Sequence, residues 1–359
     1  MARVQLQHVD KTFPSGIAAV RNLSLDVADG ELFVLVGPSG CGKTTTLRLV
    51  AGLEQPTRGE ILIGERRVNE VPPADRDVAM VFQNAALYPH MNVAENLAFG
   101  LKRRRMPAAE IQRRMKEAAE ALSIGNLLDR RPAELSGGER GRVAIGRAMV
   151  RGPKVFLLDE PLSDLDLPMR SQLRMEIGRL HERLRSTIVH VTHDQAEAMT
   201  LGGRIGVMKD GEIQQIDTPA NVYRRPASAF VASFIGNPGM NLIPGEVRGG
   251  VFQWAQGSQN GHPAGSIHVG LAVKDGNALL GVRPDDLLVA GGTPLVTAAV
   301  EQVERTGHET LIHFELGGRR QVARLPGNAG VSQHELVPVG VRPTEDVLHL
   351  FDMEGRRIR

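Results

Sequence analysis

The chain has 359 residues, with 43 Lys plus Arg against 41 Asp plus Glu and a formal net charge of +2, so it carries no global basic footprint for nucleic acid. Its single cysteine, Cys41, excludes an internal disulfide. Apolar runs of about five residues fall far short of the ~20 that a membrane-crossing helix needs.

Residues 3–9 and 17–27 alternate apolar and polar, the pattern of antiparallel strands with one wet face. The opening stretch, MARVQLQHVD, holds no apolar core of signal-peptide length, and a cytoplasmic protein is expected. Between the two strands Phe13 is a lone aromatic in a turn, suited either to plug the core or to stack on a flat base. The run from Glu31 to Val36 is apolar after its first residue, as a buried parallel strand should be. It leads into GPSGCGKTTT, in which Gly37, Gly42, Lys43 and Thr44 fill the template G-x-x-x-x-G-K-[ST]. Leu47, Val50 and Ala51 then follow at helical spacing. Strand, glycine loop and helix in that order make a phosphate site, because inward N–H groups and the helix start both favour an anion. Lys43 would reach the β- and γ-phosphates, and the Thr44 hydroxyl would sit on Mg²⁺. A nucleoside triphosphate is the expected ligand. Cys41 lies inside this loop, either as a small residue that fits or as a thiol activated by the helix start.

Further strands are expected at 60–64 and at 78–82, the second ending on Gln83. A polar side chain there sits at the crevice where open α/β sheets bind ligands, and could ligate Mg²⁺ or simply bond its own loop. Residues 84–100 carry Tyr88, Met91 and Phe99 among few charges, a patch fit for core or for a docked partner. Ile111, Met115, Ala118 and Leu122 share one helix face opposite Arg113, Arg114 and Glu117. This predicts a helical subdomain over about 84–150. Ser136 precedes Gly137 and Gly138 as the N-cap of another helix, a second start able to hold an anion or a plain capped end. Val155 to Asp159 is a third buried strand, with Asp159 placed to hold hydrated Mg²⁺ and Glu160 to deprotonate a water. Strand alternation would send these two carboxylates to opposite sides. The strand at 187–191 delivers His193 to the same edge, where it could bond a γ-phosphate oxygen or hold the water and Glu160 in line. A hairpin is expected over 205–216 and a last helix around 230–235. The break falls at 236–240. Beyond it, short alternating strands near 242–247, 267–273, 279–283, 295–303, 312–316, 320–325 and 346–351 suit a small β-barrel.

The chain resembles the ATP-binding subunits of ABC importers of the carbohydrate type, which take up maltose, trehalose or sn-glycerol-3-phosphate. The resemblance runs essentially end to end, through GPSGCGKTT, AMVFQ, ALYPHMNVAENLAFGLK, LSGGE, VFLLDEPLSDLD, VTHDQAEAMTL and, late in the chain, GVRPDDL and VLHLFDMEG. It implies an α/β fold: an ATPase domain over 1–236, with a mixed sheet and helical subdomain, then an OB-like TOBE barrel over 237–359. It makes Phe13 the aromatic that stacks on adenine and Gly37, Pro38, Ser39, Gly40, Cys41, Gly42, Lys43, Thr44 and Thr45 the phosphate loop. Thr44, Gln83 and Asp159 become the Mg²⁺ ligands, with Gln83 also coupling to the membrane subunits. Glu160 becomes the base and His193 the switch histidine. Ser136, Gly137 and Gly138 would cap the γ-phosphate held by a second copy, so two copies sandwich ATP. Two transmembrane permease subunits, an extracytoplasmic solute-binding protein and a peripheral place on the cytoplasmic face of the inner membrane are the implied setting, with no nucleic acid. Other solutes (polyamine, sulfate, iron) or a nucleotide-switched binding module are the competing readings.

The chain departs from the family pattern in four ways. Glu139 stands where glutamine is usual, Arg140-Gly141 replaces the usual spacing, Asp164 replaces asparagine and Gly203 replaces aspartate. Glu139 and Asp164 are expected to add negative charge near the dimer interface, with ATPase activity surviving.

Overall fold

The structure, a computed structural model, describes residues 2–163, 165–254, 265–270, 273–289, 291–342 and 347–358. Asp164 lies outside them. Contacts divide the chain into two units, Met1–Ala220 and Asn221–Arg359.

The first unit begins with β1 (Val4–Thr12), β2 (Ala18–Val27), β3 (Leu32–Val36), α1 (Lys43–Ala51), β4 (Arg58–Ile63), β5 (Arg66–Arg67) and β6 (Val78–Val81). The helices α2 (Val93–Arg103), α3 (Ala108–Ala121) and α4 (Gly137–Met149) follow. Then come β7 (Val155–Asp159), α5 (Leu167–Leu184), β8 (Thr187–Thr192), α6 (Gln195–Leu201), β9 (Arg204–Lys209) and β10 (Glu212–Asp217).

Two sheets result. β2-β1-β4-β5 is antiparallel, as the alternation of β1 and β2 predicts. The larger sheet runs β10-β9-β3-β8-β7-β6, parallel throughout except for the β9–β10 hairpin. Every residue of β3, β7 and β8 is buried, which is why β3 reads as an unbroken apolar run and β7 as one up to Asp159, while β8 buries Thr187, His190 and Thr192 among its valines and isoleucine. Because β3, β6, β7 and β8 run in one direction, the loops after Val36, Val81, Asp159 and Thr192 emerge along one edge.

The helical segment is built as its periodicity requires. Ile111, Met115, Ala118 and Leu122 are buried, while Arg113 bonds Glu110 and Glu117 on the exposed face. Asn92 and Glu95 form a reciprocal cap on α2. Asn96, fully buried, accepts from Tyr88 N–H at 2.8 Å and donates to the carbonyls of Tyr88, Met91 and Asn92, pinning the loop before the helix.

The helix α7 (Pro219–Arg224) spans the division, and the second unit continues with α8 (Ala229–Phe234). Its strands are β11 (Asn241–Arg248), β12 (Val251–Trp254), β13 (Gly265–His268), β14 (Gly276–Val282) and β15 (Leu287–Val289). They continue with β16 (Thr293–Arg305), β17 (Glu309–Leu316), β18 (Arg319–Pro326), β19 (Leu336–Val341) and β20 (Leu348–Phe351). Two five-stranded sheets, β13-β12-β11-β14-β20 and β15-β19-β16-β17-β18, enclose one apolar core containing Phe252, Trp254, Leu280, Phe314 and Val339. Ile312, Phe314 and Leu316 point inward together, as their alternation predicts. The strands expected at 267–273 and 346–351 fall partly outside the described residues. Residues 221–236, assigned by sequence to the first domain, group with the barrel strands. Two sets of contacts hold them there: Ala229 and Ala232 pack with Met240, Leu279 and Phe351, and buried Arg283 lies 4.0 Å from the Tyr223 ring and donates to the carbonyls of Tyr223, Ala232 and Ile235.

Candidate active site

The phosphate loop turns between β3 and α1 at two positions where no side chain fits. Gly42 has φ 108, and a Cβ there would meet the Ala19 carbonyl at 2.3 Å; a Cβ on Gly37 would meet the Met208 carbonyl at 2.3 Å. Pro38, Ser39 and Gly40 form the exposed rim of the loop, and Thr45 sits half-buried in the first turn of α1. Lys43 is only 4% exposed, and its ammonium donates to the carbonyls of Gly37 at 2.8 Å and Pro38 at 2.9 Å. Among the described residues no carboxylate pairs with it. The ammonium's third contact is the Cys41 sulfur at 3.9 Å, and a cation whose partners are neutral beside a helix start suits a phosphate. Cys41 is buried, and burial pushes its thiol pKa up. The activated-thiol reading of Cys41 therefore fails: desolvation outweighs the attraction of Lys43.

At the tip of β7, Asp159 accepts a hydrogen bond from Thr44 Oγ1 at 2.8 Å. Asp159 is 6% exposed, and burial pushes its carboxyl above the usual range, with the Glu160 charge adding to that and the Thr44 bond opposing it. A buried carboxylate short of compensating charge beside a hydroxyl fits a hard divalent cation, so the pair suits Mg²⁺. Gln83 does not join them. It lies exposed in the turn beyond β6, and no hydrogen bond links it to Thr44 or Asp159. Ala85 and Ala86 both take positive φ (56 and 42), and the Arg147 guanidinium holds their carbonyls at 3.4 and 2.7 Å while lying 5.4 Å from the Tyr88 ring. That turn carries the loop away from the strand axis.

Glu160 departs from the strand geometry expected for it. β7 ends at Asp159, and Glu160 has φ 47, with its N–H bonded to the Val191 carbonyl at 3.0 Å. A left-handed backbone aims its side chain, where strand alternation was expected to do so. Glu160 Oε2 lies 2.7 Å from His193 Nδ1, so the two groups proposed from sequence do meet. The histidine is half exposed, and the glutamate has 17% of its side chain in solvent.

Two contacts behind this pair have no local sequence signal. Arg170, in the first turns of α5, donates to Asp194 Oδ2 at 3.0 Å and to the carbonyls of Leu165 at 3.1 Å and Ser163 at 3.4 Å. His190 on β8 is fully buried against Glu197 of α6 at 3.2 Å.

Phe13 is half-buried in a tight turn, and the Lys11 ammonium lies 4.9 Å from its ring centroid. Ser136 caps α4 by accepting from Glu139 N–H at 3.3 Å, and the Glu139 carboxylate accepts from Ser136 N–H at 2.7 Å. That bond holds the Glu139 carboxyl below its ordinary range, so its negative charge is engaged in the cap. Gly137 and Gly138 follow as the first residues of α4, and no hydrogen bond joins Ser136, Gly137 or Gly138 to the phosphate loop of the same chain.

Residues 20–163 match the family described as ABC transporter, and residues 280–351 match the TOBE domain. An sn-glycerol-3-phosphate import ATP-binding protein of Rhizobium meliloti is 48% identical, with all of both chains covered. A relative from Agrobacterium fabrum with the same description is 46% identical over all of both chains. The sulfoquinovosyl glycerol transport ATP-binding protein of Agrobacterium fabrum is 47% identical over 99% of each. Among solved structures, the ATP-binding cassette MJ0796 in a dimeric post-hydrolysis state with ADP and Pi is 32% identical, with a TM-score of 0.55, covering 60% of this chain and 98% of that one. cbiO1 of Clostridium perfringens is 26% identical with a TM-score of 0.58, covering 61% and 89%. With a phosphate loop, buried acid and glutamate–histidine pair on one sheet edge, and full-length relatives of this kind, the chain belongs to the ABC transporter family as a nucleotide-binding ATPase.

Proposed function

We propose that this chain is the ATP-hydrolysing subunit of an importer for sugars or related solutes, sn-glycerol-3-phosphate among them. The observation that carries the hydrolytic reading is the 2.7 Å contact between Glu160 and His193 on the edge that also bears the phosphate loop. Phe13 would stack on adenine, the loop from Gly37 to Thr45 would wrap the phosphates, and Thr44 and Asp159 would hold Mg²⁺, which would supply neutralisation of phosphate charge. Gln83, exposed in the turn beyond β6, would have to move inward to join this set. Glu160 takes the proton of the attacking water, and His193 holds Glu160 and the γ-phosphate in line. Ser136, Gly137 and Gly138 make no bond to their own phosphate loop, which supports their serving a second copy. Two copies then close on ATP, and closure drives the permease.

A groove of about 360 Å³ between the β6 strand end and the helical subdomain supports the permease contact. Met80, Phe82, Tyr88 and Phe99 give it an apolar wall, and Arg147 and Arg151 a basic rim. A short amphipathic segment of a membrane subunit fits that chemistry. No described helix is long and apolar enough to cross a membrane, in keeping with a peripheral ATPase held at the cytoplasmic face by the permease. An extracytoplasmic binding protein would choose the solute. Relatives of nearly equal identity are named for different solutes, which fits a cargo set outside this chain.

The test is reconstitution with the neighbouring permease in vesicles. ATP hydrolysis and uptake of labelled sn-glycerol-3-phosphate should rise together, and Glu160→Gln with ATP and Mg²⁺ should run as a dimer in gel filtration. A monomer that fails to retain nucleotide would sink the sandwich; uptake of some other solute would change only the cargo.

A further inference from the structure

The two loops that deliver Glu160 and His193 come from different strands and share one side chain behind the site. After Glu160 the chain turns back on itself, with Ser163 Oγ donating to the Glu160 carbonyl at 3.0 Å. The carbonyls of Ser163 and Leu165, further round that turn, accept from one guanidinium nitrogen of Arg170 at 3.4 and 3.1 Å. The other terminal nitrogen donates to Asp194 Oδ2 at 3.0 Å. Asp194 is the residue after His193, and its Oδ1 caps α6 by accepting from the N–H groups of Ala196 and Glu197 at 2.7 and 3.1 Å. Burial works against the Asp194 charge, yet the cap and Arg170 hold its carboxyl below the usual range. The contacts thus close a ring: Glu160, its turn, Arg170, Asp194, His193 and back to Glu160 across 2.7 Å.

We propose that Arg170 is a positioning residue for hydrolysis, a fork that sets the spacing between the Glu160 turn and the His193 loop. The assignment rests on the reading of Glu160 and His193 given above. A planar guanidinium is suited to the task because its two terminal nitrogens reach divergent acceptors at fixed separation. A lysine has the charge but a single nitrogen, so it reaches Asp194 or the carbonyls and not both in one geometry. Among the described residues no hydrogen bond joins the phosphate loop to Arg170 or Asp194. Nucleotide binding should therefore be independent of Arg170 while turnover is not.

The experiment compares Arg170→Met, Arg170→Lys, Asp194→Asn and the double variant Arg170→Met/Asp194→Asn in the full-length chain, with ATP as substrate. Arg170→Met should lower kcat at least ten-fold with KM for ATP changed less than two-fold, and Arg170→Lys should recover only part. Asp194→Asn keeps the cap acceptor and loses the charge. Its loss and that of Arg170→Met should overlap, so the double variant should be no slower than the worse single one. Unchanged kcat in Arg170→Met, full recovery by lysine, additive losses, or a KM that rises in step with the fall in kcat would each overturn the proposal. Failure of Arg170→Met to fold, while Arg170→Lys folds with wild-type kcat, would overturn it too. Glu160→Gln and His193→Ala run alongside: if either keeps wild-type kcat, the underlying reading of the site fails and the role of Arg170 with it.

Discussion

Lys43, Thr44 and Asp159 show how a few side chains divide one task. The lysine is held by carbonyls in the plane of the loop, and the threonine hydroxyl and buried carboxylate face one another at 2.8 Å. Glu160→Gln is expected to keep ATP binding and to lose hydrolysis by about a hundred-fold or more, the usual scale for a lost general base, read by nucleotide retention beside phosphate release. Ser136→Ala should cost about 1 kcal/mol in chemical denaturation, as loss of an N-cap does. Glu139→Gln keeps the reciprocal acceptor, so near neutral pH it should cost less than Ser136→Ala. Because the Glu139 carboxyl is held below its ordinary value, its charge stabilises the fold above about pH 4.3, the unperturbed glutamate value, and that advantage is lost as pH falls through the depressed native one. The gap between wild type and Glu139→Gln in urea midpoints should therefore close in acid. At this scale sequence reads well where chemistry sits in consecutive residues, as in the phosphate loop, Asp159 and Ser136. It reads poorly where partners are far apart in the chain. Nothing near Arg147 announces the carbonyls of Ala85 and Ala86, and strand alternation gives the wrong reason for the direction of Glu160.

The strands β3, β7 and β8 and the helix α3 were legible because burial on both faces, or on one stripe, leaves a periodic trace. Pairs that join elements leave none. His190 of β8 and Glu197 of α6 are 0% and 2% exposed in their side chains, and together they fasten that helix to the central sheet. Removing one member alone leaves the other's buried polar group without its partner: His190→Ala should cost about 1–3 kcal/mol for that group on top of the packing it loses. Replacing both by leucine should recover most of that loss, a result that thermal or urea unfolding of the three variants would reveal. If the single and double variants were equally unstable, packing and not the hydrogen bond would be what the pair contributes.

Across the whole chain, the division at Ala220/Asn221 follows the reach of Arg283, a side chain that sequence reading passes over inside GVRPDDL. A barrel could be foreseen from short alternating strands, whereas its claim on residues 221–236 rests on long-range contacts, the Arg283 guanidinium and the packing of Ala229 and Ala232 on Leu279 and Phe351, that leave no local trace. Arg283→Met should remove the donor from the carbonyls of Tyr223 and Ile235, while Ala232 keeps Met240 N–H, and destabilise the second unit on the scale of about 1–3 kcal/mol for each buried group left unsatisfied. Calorimetry should show that unit melting earlier, while ATP shifts only the transition of the first.

The left-handed backbone at Glu160 has a further consequence. An L-residue there costs about 1–2 kcal/mol that glycine would not incur. Glu160→Gly should therefore yield a chain that withstands heat better than Glu160→Gln although both are hydrolytically silent. Robustness and turnover are set against each other at that one torsion angle, and a screen that rewards only soluble expression would drift toward the inert version.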